Sequence, residues 1–360
     1  MAAPPFSFLE TLNKVDDAID ANADIADAIV QSGLDSLGLS DPASSASSTT
    51  TPEWHNTATK LDLDKARSTI HQLYRDWSAE GVAERTACFG PVLLALHQRF
   101  GHPPTTASAS TNKSTPRVLV PGAGLGRLVF ELALAGYEAH GNELSYHALL
   151  ASSFMLNNTS RAKQFNLYPF ATTFSNHHTR AAQLRAVKIP DMHPGSHAPL
   201  QGSMTMTTGD FVAVYGEGAE EDEHKEGFDA VTTVFFVDTA PNVMTYIETV
   251  KRCLRTGGYW INVGPLLWHF DSGKSGVETP DQEETTSQHT KQKHQHKTPR
   301  IGTTGGSVQL TEDEVIKLVE MAGFTMEVHE TGRLATGYVQ DPESMLQNIY
   351  KPVFWVARKL

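Results

Sequence analysis

Residues 120–126, Val-Pro-Gly-Ala-Gly-Leu-Gly, follow a short apolar run and precede a helical one. Glycines in such a turn reach backbone conformations closed to other residues and let a ligand approach the main chain. The helix that follows begins with unpaired N–H groups and the positive end of a dipole. This is chemistry for an anion: a pyrophosphate, or the amino-acid carboxylate of S-adenosylmethionine. A nicotinamide fingerprint runs G-x-G-x-x-G, whereas these glycines, Gly122, Gly124 and Gly126, run G-x-G-x-G. Glu143 ends the next apolar stretch, where an acid can accept both ribose hydroxyls of either cofactor. Asp210-Phe211 follows a third stretch, where an acid can take the adenine amino group and an aromatic ring can lie on the base.

Two further groupings carry candidate chemistry. Phe235-Phe-Val-Asp238-Thr-Ala-Pro-Asn242 ends a long apolar run, so Asp238 is expected to be partly desolvated and able to orient a substrate donor. The competing role for Asp238 is to cap the helix that follows. Gly264-Pro-Leu-Leu-Trp-His269 follows the next apolar run and brings His269 to the same edge. The tract 288–296, with His289, His294 and His296, lies in a lysine-rich polar stretch. Metal sites rest on supporting contacts that such a stretch lacks, so no metal site is expected.

Alternating elements must hold these residues. Strands are expected at 117–121, 137–142, 204–208, 228–237, 259–263, 324–329 and 353–357. Helices are expected at 68–77, 128–134, 145–156, 243–254 and 315–321, with one more beginning at Pro91 and running to Phe100. On the first of these helices Ile70, Leu73 and Trp77 share one face, while Gln72 and Arg75 share another. The pattern predicts an α/β fold, a Rossmann-like, doubly wound, mostly parallel sheet with an N-terminal helical extension. Ligands in such sheets bind beyond the carboxyl ends of the strands. Three regions are expected: an N-terminal extension at 1–60, partly helical or disordered; a helical lid and linker at 61–116; and a catalytic domain at 117–360. Polar insertions are expected at about 175–203 and 271–306, the first as a surface excursion.

Composition narrows the function. Of the 360 residues, 29 are Lys or Arg and 41 are Asp or Glu, a formal charge of −12. Such a chain repels a phosphate backbone, which argues for a small or peptide-like substrate rather than nucleic acid. Two cysteines, Cys88 and Cys253, make no disulfide framework. No stretch approaches the roughly 20 apolar residues that span a bilayer. A soluble protein of a reducing compartment is expected, cytoplasmic with the nucleus as an additional location.

Taken together, Gln72-Leu-Tyr-Arg75-Asp-Trp-Ser, Ala83-Glu-Arg, Val120 to Arg127, Gly141-Asn-Glu143, Phe235-Phe-Val-Asp238-Thr-Ala and Ile261-Asn-Val-Gly-Pro-Leu-Leu-Trp-His269-Phe resemble the carnosine N-methyltransferase family. The resemblance runs from about residue 61 to the C-terminus. It implies a class I methyltransferase fold and methyl transfer from S-adenosylmethionine to an imidazole nitrogen of carnosine, giving anserine. It implies that Gln72 and Arg75 close over the cofactor and that the glycine turn takes its methionine end. Glu143 would take the ribose, Asp210 and Phe211 the adenine. Val234, at a position where the family has cysteine, would supply backbone contact. Asp238, His269 and Tyr338 would surround the dipeptide, with Tyr350 as a further candidate. The resemblance also raises the expectation of a homodimer. Three other readings stay open: a protein histidine or another imidazole metabolite as acceptor, a cofactor-binding module without catalysis, and a nicotinamide dehydrogenase.

Overall fold

The computed structural model describes residues 6–38, 57–101, 114–197, 200–218, 225–268 and 308–360. Its centre is a seven-stranded sheet. The strands are β1 (Arg117–Pro121), β2 (Glu138–Glu143), β5 (Ser203–Thr208), β6 (Phe228–Val234), β7 (Leu254–Gly264), β8 (Phe324–Glu330) and β9 (Val353–Lys359). They lie in the order β5-β2-β1-β6-β7-β9-β8, and β9 runs antiparallel to both neighbours. The reversal has a simple cause. Parallel neighbours need a crossover, usually a helix, and the 331–352 segment between β8 and β9 contains none.

Alternation along each strand builds two cores, because successive side chains leave a strand on opposite faces. Leu119, Val231, Trp260 and Trp355 face α8 (Val243–Cys253) and α9 (Glu312–Met321). Val118, Val120, Ala230, Ile261 and Val356 face α3 (Val82–Phe100) and α4 (Arg127–Leu134). A third cluster joins α1 (Phe8–Ser36), α2 (Lys60–Trp77) and α5 (Tyr146–Ser153) through Ile25, Leu73, Trp77, Ala148 and Ala151.

Three sequence expectations are corrected. Pro91 lies inside α3 instead of starting it. Gly90 precedes it and has no Cβ for the proline ring to strike, and the apolar face continues through Cys88, Phe89, Val92, Ala95 and Leu96. The strand expected at 228–237 ends at Val234, because Phe235 takes a left-handed backbone at φ +52°. The stretch at 175–203 is no mere surface excursion. It carries α6 (Arg180–Gln183) and β4 (Val187–Ile189), which pairs antiparallel with β3 (Phe165–Leu167). Val187, Ile189 and Gln183 are buried there, and Gln183 donates through Nε2 to the Ala171 carbonyl at 2.6 Å.

α1 spans 29 residues of the N-terminal extension. It is buried along Val15, Ala18, Ile25 and Ile29. Asn22 exchanges two hydrogen bonds with the main chain of Tyr168, at 3.0 and 2.9 Å. Among the described residues no helix is long and apolar enough to cross a membrane.

Candidate active site

The parallel register brings the carboxyl ends of β1, β2, β5, β6 and β7 to one edge: Pro121 lies beside Asn142, Glu143 beside Thr208, and Val234 beside Val263. The loops leaving this edge are tied together. Ala123 donates to the Asn142 carbonyl at 2.9 Å, and Asn142 donates through Nδ2 to the Gly209 carbonyl at 3.0 Å.

All three glycines of the turn have positive φ, +67°, +55° and +74° for Gly122, Gly124 and Gly126. Their surroundings differ. A Cβ on Gly122 would lie 2.4 Å from the Phe236 ring, and one on Gly126 would lie 2.6 Å from the Ser152 hydroxyl. Those two glycines are demanded by packing. At Gly124 the nearest atom is an Arg75 guanidinium nitrogen at 3.9 Å, so this is the glycine that borders open space. Its N–H donates to Glu143 Oε2 at 2.8 Å, while Oε1 accepts from Leu144 and Ser145 at 2.9 and 2.8 Å. A carboxylate has about four acceptor positions, so Glu143 is rigidly aimed and still able to accept from a ligand. Asp210 caps the short helix α7 (Phe211–Tyr215) by accepting from Val212 and Ala213 through one oxygen. Phe211 is buried, with its ring 5.6 Å from Phe236 and 5.5 Å from Tyr246, each edge to face.

The donor set fits a nucleoside carrying an amino-acid tail. Arg75 and the start of α4 offer positive charge beside the turn, and two acids at the ends of adjacent strands offer acceptors.

Asp238 lies in the short turn Val237–Thr239 and is buried. It does not cap α8; Asn242 does, accepting from Met244 at 3.0 Å. Asp238 Oδ2 instead accepts from the Leu267 amide at 3.0 Å, joining the loops after β6 and β7. Trp268 packs on the core and donates through its indole to the Leu310 carbonyl at 2.9 Å. His269, the tract 288–296 and the insertion expected at 271–306 lie outside the described residues. Among the described residues no cluster of His, Cys, Asp and Glu is arranged to hold a metal.

The opposite wall comes from α2 and the 331–352 segment. Gln72 and Arg75 are both half-buried on α2. Arg75 grips Asp76 at 2.7 and 3.0 Å and lies 5.1 Å from the centre of the Tyr338 ring. Burial disfavours the Arg75 charge, yet Asp76 together with Tyr338 and Glu84 outweighs it and holds the guanidinium charged. Tyr338 stacks on Phe235 at 4.6 Å, and burial raises its phenol pKa against the pull of Arg75. Tyr350 meets the Phe235 ring edge-on at 5.7 Å.

The structure also assigns work to residues without a role in the sequence reading. Asp191 accepts from Arg85 at 3.0 Å and from Arg127 at 2.6 and 3.1 Å, and all three side chains are largely buried. Arg85 Nη1 further donates to the carbonyl of Ser78 at 2.7 Å, and Arg127 Nη1 to that of Asp76 at 2.9 Å. Trp77 donates through its indole to the Leu125 carbonyl at 3.2 Å. These contacts clamp α2 and α3 onto the glycine turn. Ala83-Glu-Arg and Arg127 stand in the motifs of the resemblance; Asp191 gave no signal, lying in the stretch taken for a surface excursion.

A central parallel sheet, one reversed strand and a ligand edge behind a glycine turn define a Rossmann-like class I methyltransferase. A family model described as carnosine N-methyltransferase matches residues 52–360. A carnosine N-methyltransferase of Schizosaccharomyces pombe is 36% identical over 354 residues, 98% of this chain and 83% of that protein. One from Mus musculus is 34% identical over 348 residues, 97% of this chain and 75% of that protein. The chain belongs to the carnosine N-methyltransferase family.

Proposed function

We propose that this protein transfers a methyl group from S-adenosylmethionine to an imidazole ring nitrogen of carnosine, β-alanyl-histidine, giving anserine. The observation that carries this reading is the buried Asp238 carboxylate, fixed by the Leu267 amide at the same strand edge as the glycine turn. When bound, S-adenosylmethionine supplies a methyl group already activated by its sulfonium. The protein's task is therefore alignment of a neutral nucleophile.

Arg75 and Gln72 hold the cofactor's amino-acid end over Gly122, Gly124 and Gly126. Glu143 takes the ribose, Asp210 with Phe211 the adenine, and Val234 offers backbone contact. Asp238 accepts the N–H of the imidazole nitrogen that is not methylated. That bond selects the tautomer with its lone pair at the reacting nitrogen. It also offsets the positive charge the ring gains as the methyl group arrives. His269 orients the dipeptide or carries the proton away, and Tyr338 closes the acceptor side with its ring.

The two described cysteines are free and buried, which suits a reducing compartment; the reading assigns the cytoplasm, with the nucleus as a second location. It also expects a homodimer, which light scattering measures.

Methyl transfer to carnosine, free histidine and a histidine-containing protein peptide, assayed side by side, tests the acceptor. Carnosine should win clearly, and preference for the protein peptide would overturn the assignment. Asp238→Asn should lower kcat on carnosine by about 100-fold. Normal turnover by that variant would remove Asp238 from the chemistry.

A further inference from the structure

Tyr338 owes its place to contacts from several parts of the chain. Phe235 stacks beneath it, and Tyr350 stands edge-on at 6.4 Å. The Arg75 guanidinium lies 5.1 Å from the centre of its ring. These contacts hold the ring, but ring packing sets position along a face only loosely. The main chain is held differently. Val339, the next residue, has φ +50°, a conformation that is costly for a β-branched side chain. Something must hold it there.

That group is Glu84, half-buried in the first turn of α3. Both of its carboxylate oxygens accept from the Val339 amide, at 2.9 and 3.1 Å. Burial raises the Glu84 pKa, and Arg75 opposes the rise. The neighbouring anchors of the 331–352 segment lie to either side. Thr336 pairs with Tyr350 through both main-chain bonds, and Asp341 meets Arg185 at 2.6 Å. Between those anchors, Glu84 joins the lid helices to the backbone that carries Tyr338.

We propose that Glu84 is a positioning residue for the acceptor: through the Val339 amide it holds the 338–339 backbone in its left-handed turn and so sets the Tyr338 ring against the dipeptide. The inference rests on the functional reading above, which puts Tyr338 on the acceptor side. Glu84 itself touches neither reactant. It acts on acceptor binding and leaves the cofactor pocket of Arg75, Gly124 and Glu143 in place.

The test compares Glu84→Ala, Glu84→Gln and the double variant Glu84→Ala/Val339→Gly, using KM and kcat on whichever of the three acceptors the wild type methylates. S-adenosylhomocysteine binding, measured by calorimetry, follows the cofactor side. Glu84→Ala should raise the acceptor KM by about tenfold or more, with kcat changed less than about threefold and S-adenosylhomocysteine affinity within about twofold. Glutamine keeps an amide oxygen for the Val339 N–H, so Glu84→Gln should hold KM within about threefold of the wild type. Glycine reaches positive φ without a steric penalty, so the double variant should regain part of the lost KM.

A Glu84→Ala protein with unchanged KM and only a lower melting temperature would overturn the proposal, leaving Glu84 a stabilising residue. A Glu84→Gln protein as impaired as Glu84→Ala would overturn it too, assigning the effect to charge near Arg75. Should Glu84→Ala fail to fold, Glu84→Gln and the single Val339→Gly variant still decide: both keep a Val339 acceptor pair and must keep KM. Wild-type indifference to carnosine would count against the acceptor assignment, whereas the KM pattern of the variants speaks to Glu84.

Discussion

A protonated imidazole has no lone pair to give to a methyl donor, so the acceptor must arrive neutral. Tyr338 and Arg75 hold their own protonation states over the working range. Burial and its neighbours leave Tyr338 with a raised phenol pKa and Arg75 firmly charged. As pH falls, the fraction of neutral acceptor falls, while neither Tyr338 nor Arg75 changes charge. We expect kcat/KM to drop about tenfold per pH unit below the imidazole pKa of about 6.5, with a plateau above it. A pH–rate series on carnosine checks this, and an alkaline limb below about pH 9 would place a titrating phenol or amine in the mechanism. The two thiols are a residue-scale case with no catalytic part. Burial pushes both Cys88 and Cys253 up to about 12, so neither should react with a thiol reagent at neutral pH until the protein is unfolded.

At the scale of elements, α2 and α3 are held to α4 by charge in an apolar setting. Arg85 on α3, Arg127 at the start of α4 and Asp191 just after β4 form one network. Its value depends on completeness, because removing Asp191 strands Arg85 without a counter-charge in a buried setting. Asp191→Ala leaves Arg85 without its carboxylate and Arg127 with Glu131 alone, and should lower the unfolding free energy by about 3 kcal/mol in urea denaturation. A loss below about 1 kcal/mol would mean that the network behaves like an exposed ion pair. Because Arg127 also binds the main chain of α2, the same variant should weaken S-adenosylhomocysteine binding.

For the molecule as a whole, α1 lies outside the matched family segment of 52–360 yet shares a core with α2 and α5. Ile25 is 1% exposed in that core. Ile25→Ala should therefore cost about 2–5 kcal/mol, as buried aliphatic truncations do, and thermal unfolding checks it. An effect near zero would make α1 an appendage. The sheet explains how distant sequence meets at one site. Parallel strands deliver their carboxyl ends to one edge, and the reversal at β9 returns the 331–352 segment, with Tyr338 and Tyr350, to that edge.

Much of this was legible in the sequence because it is local. The glycine turn, the apolar runs of β1 and β6 and the acids at strand ends each depend on neighbours in the chain. Hydrophobic period and turn chemistry read such features directly. Other features are made by partners far away in sequence, and only folding supplies them. Pro91 looked like a helix start because its tolerance inside α3 depends on packing. The stretch holding Asp191 looked dispensable because its polar groups find their partners on α3 and α4. Which glycine borders open space, whether Asp238 caps a helix or bridges two loops, and what Glu84 holds are three-dimensional facts. Each depends on contacts between residues tens or hundreds of positions apart, a distance over which no chain periodicity carries information.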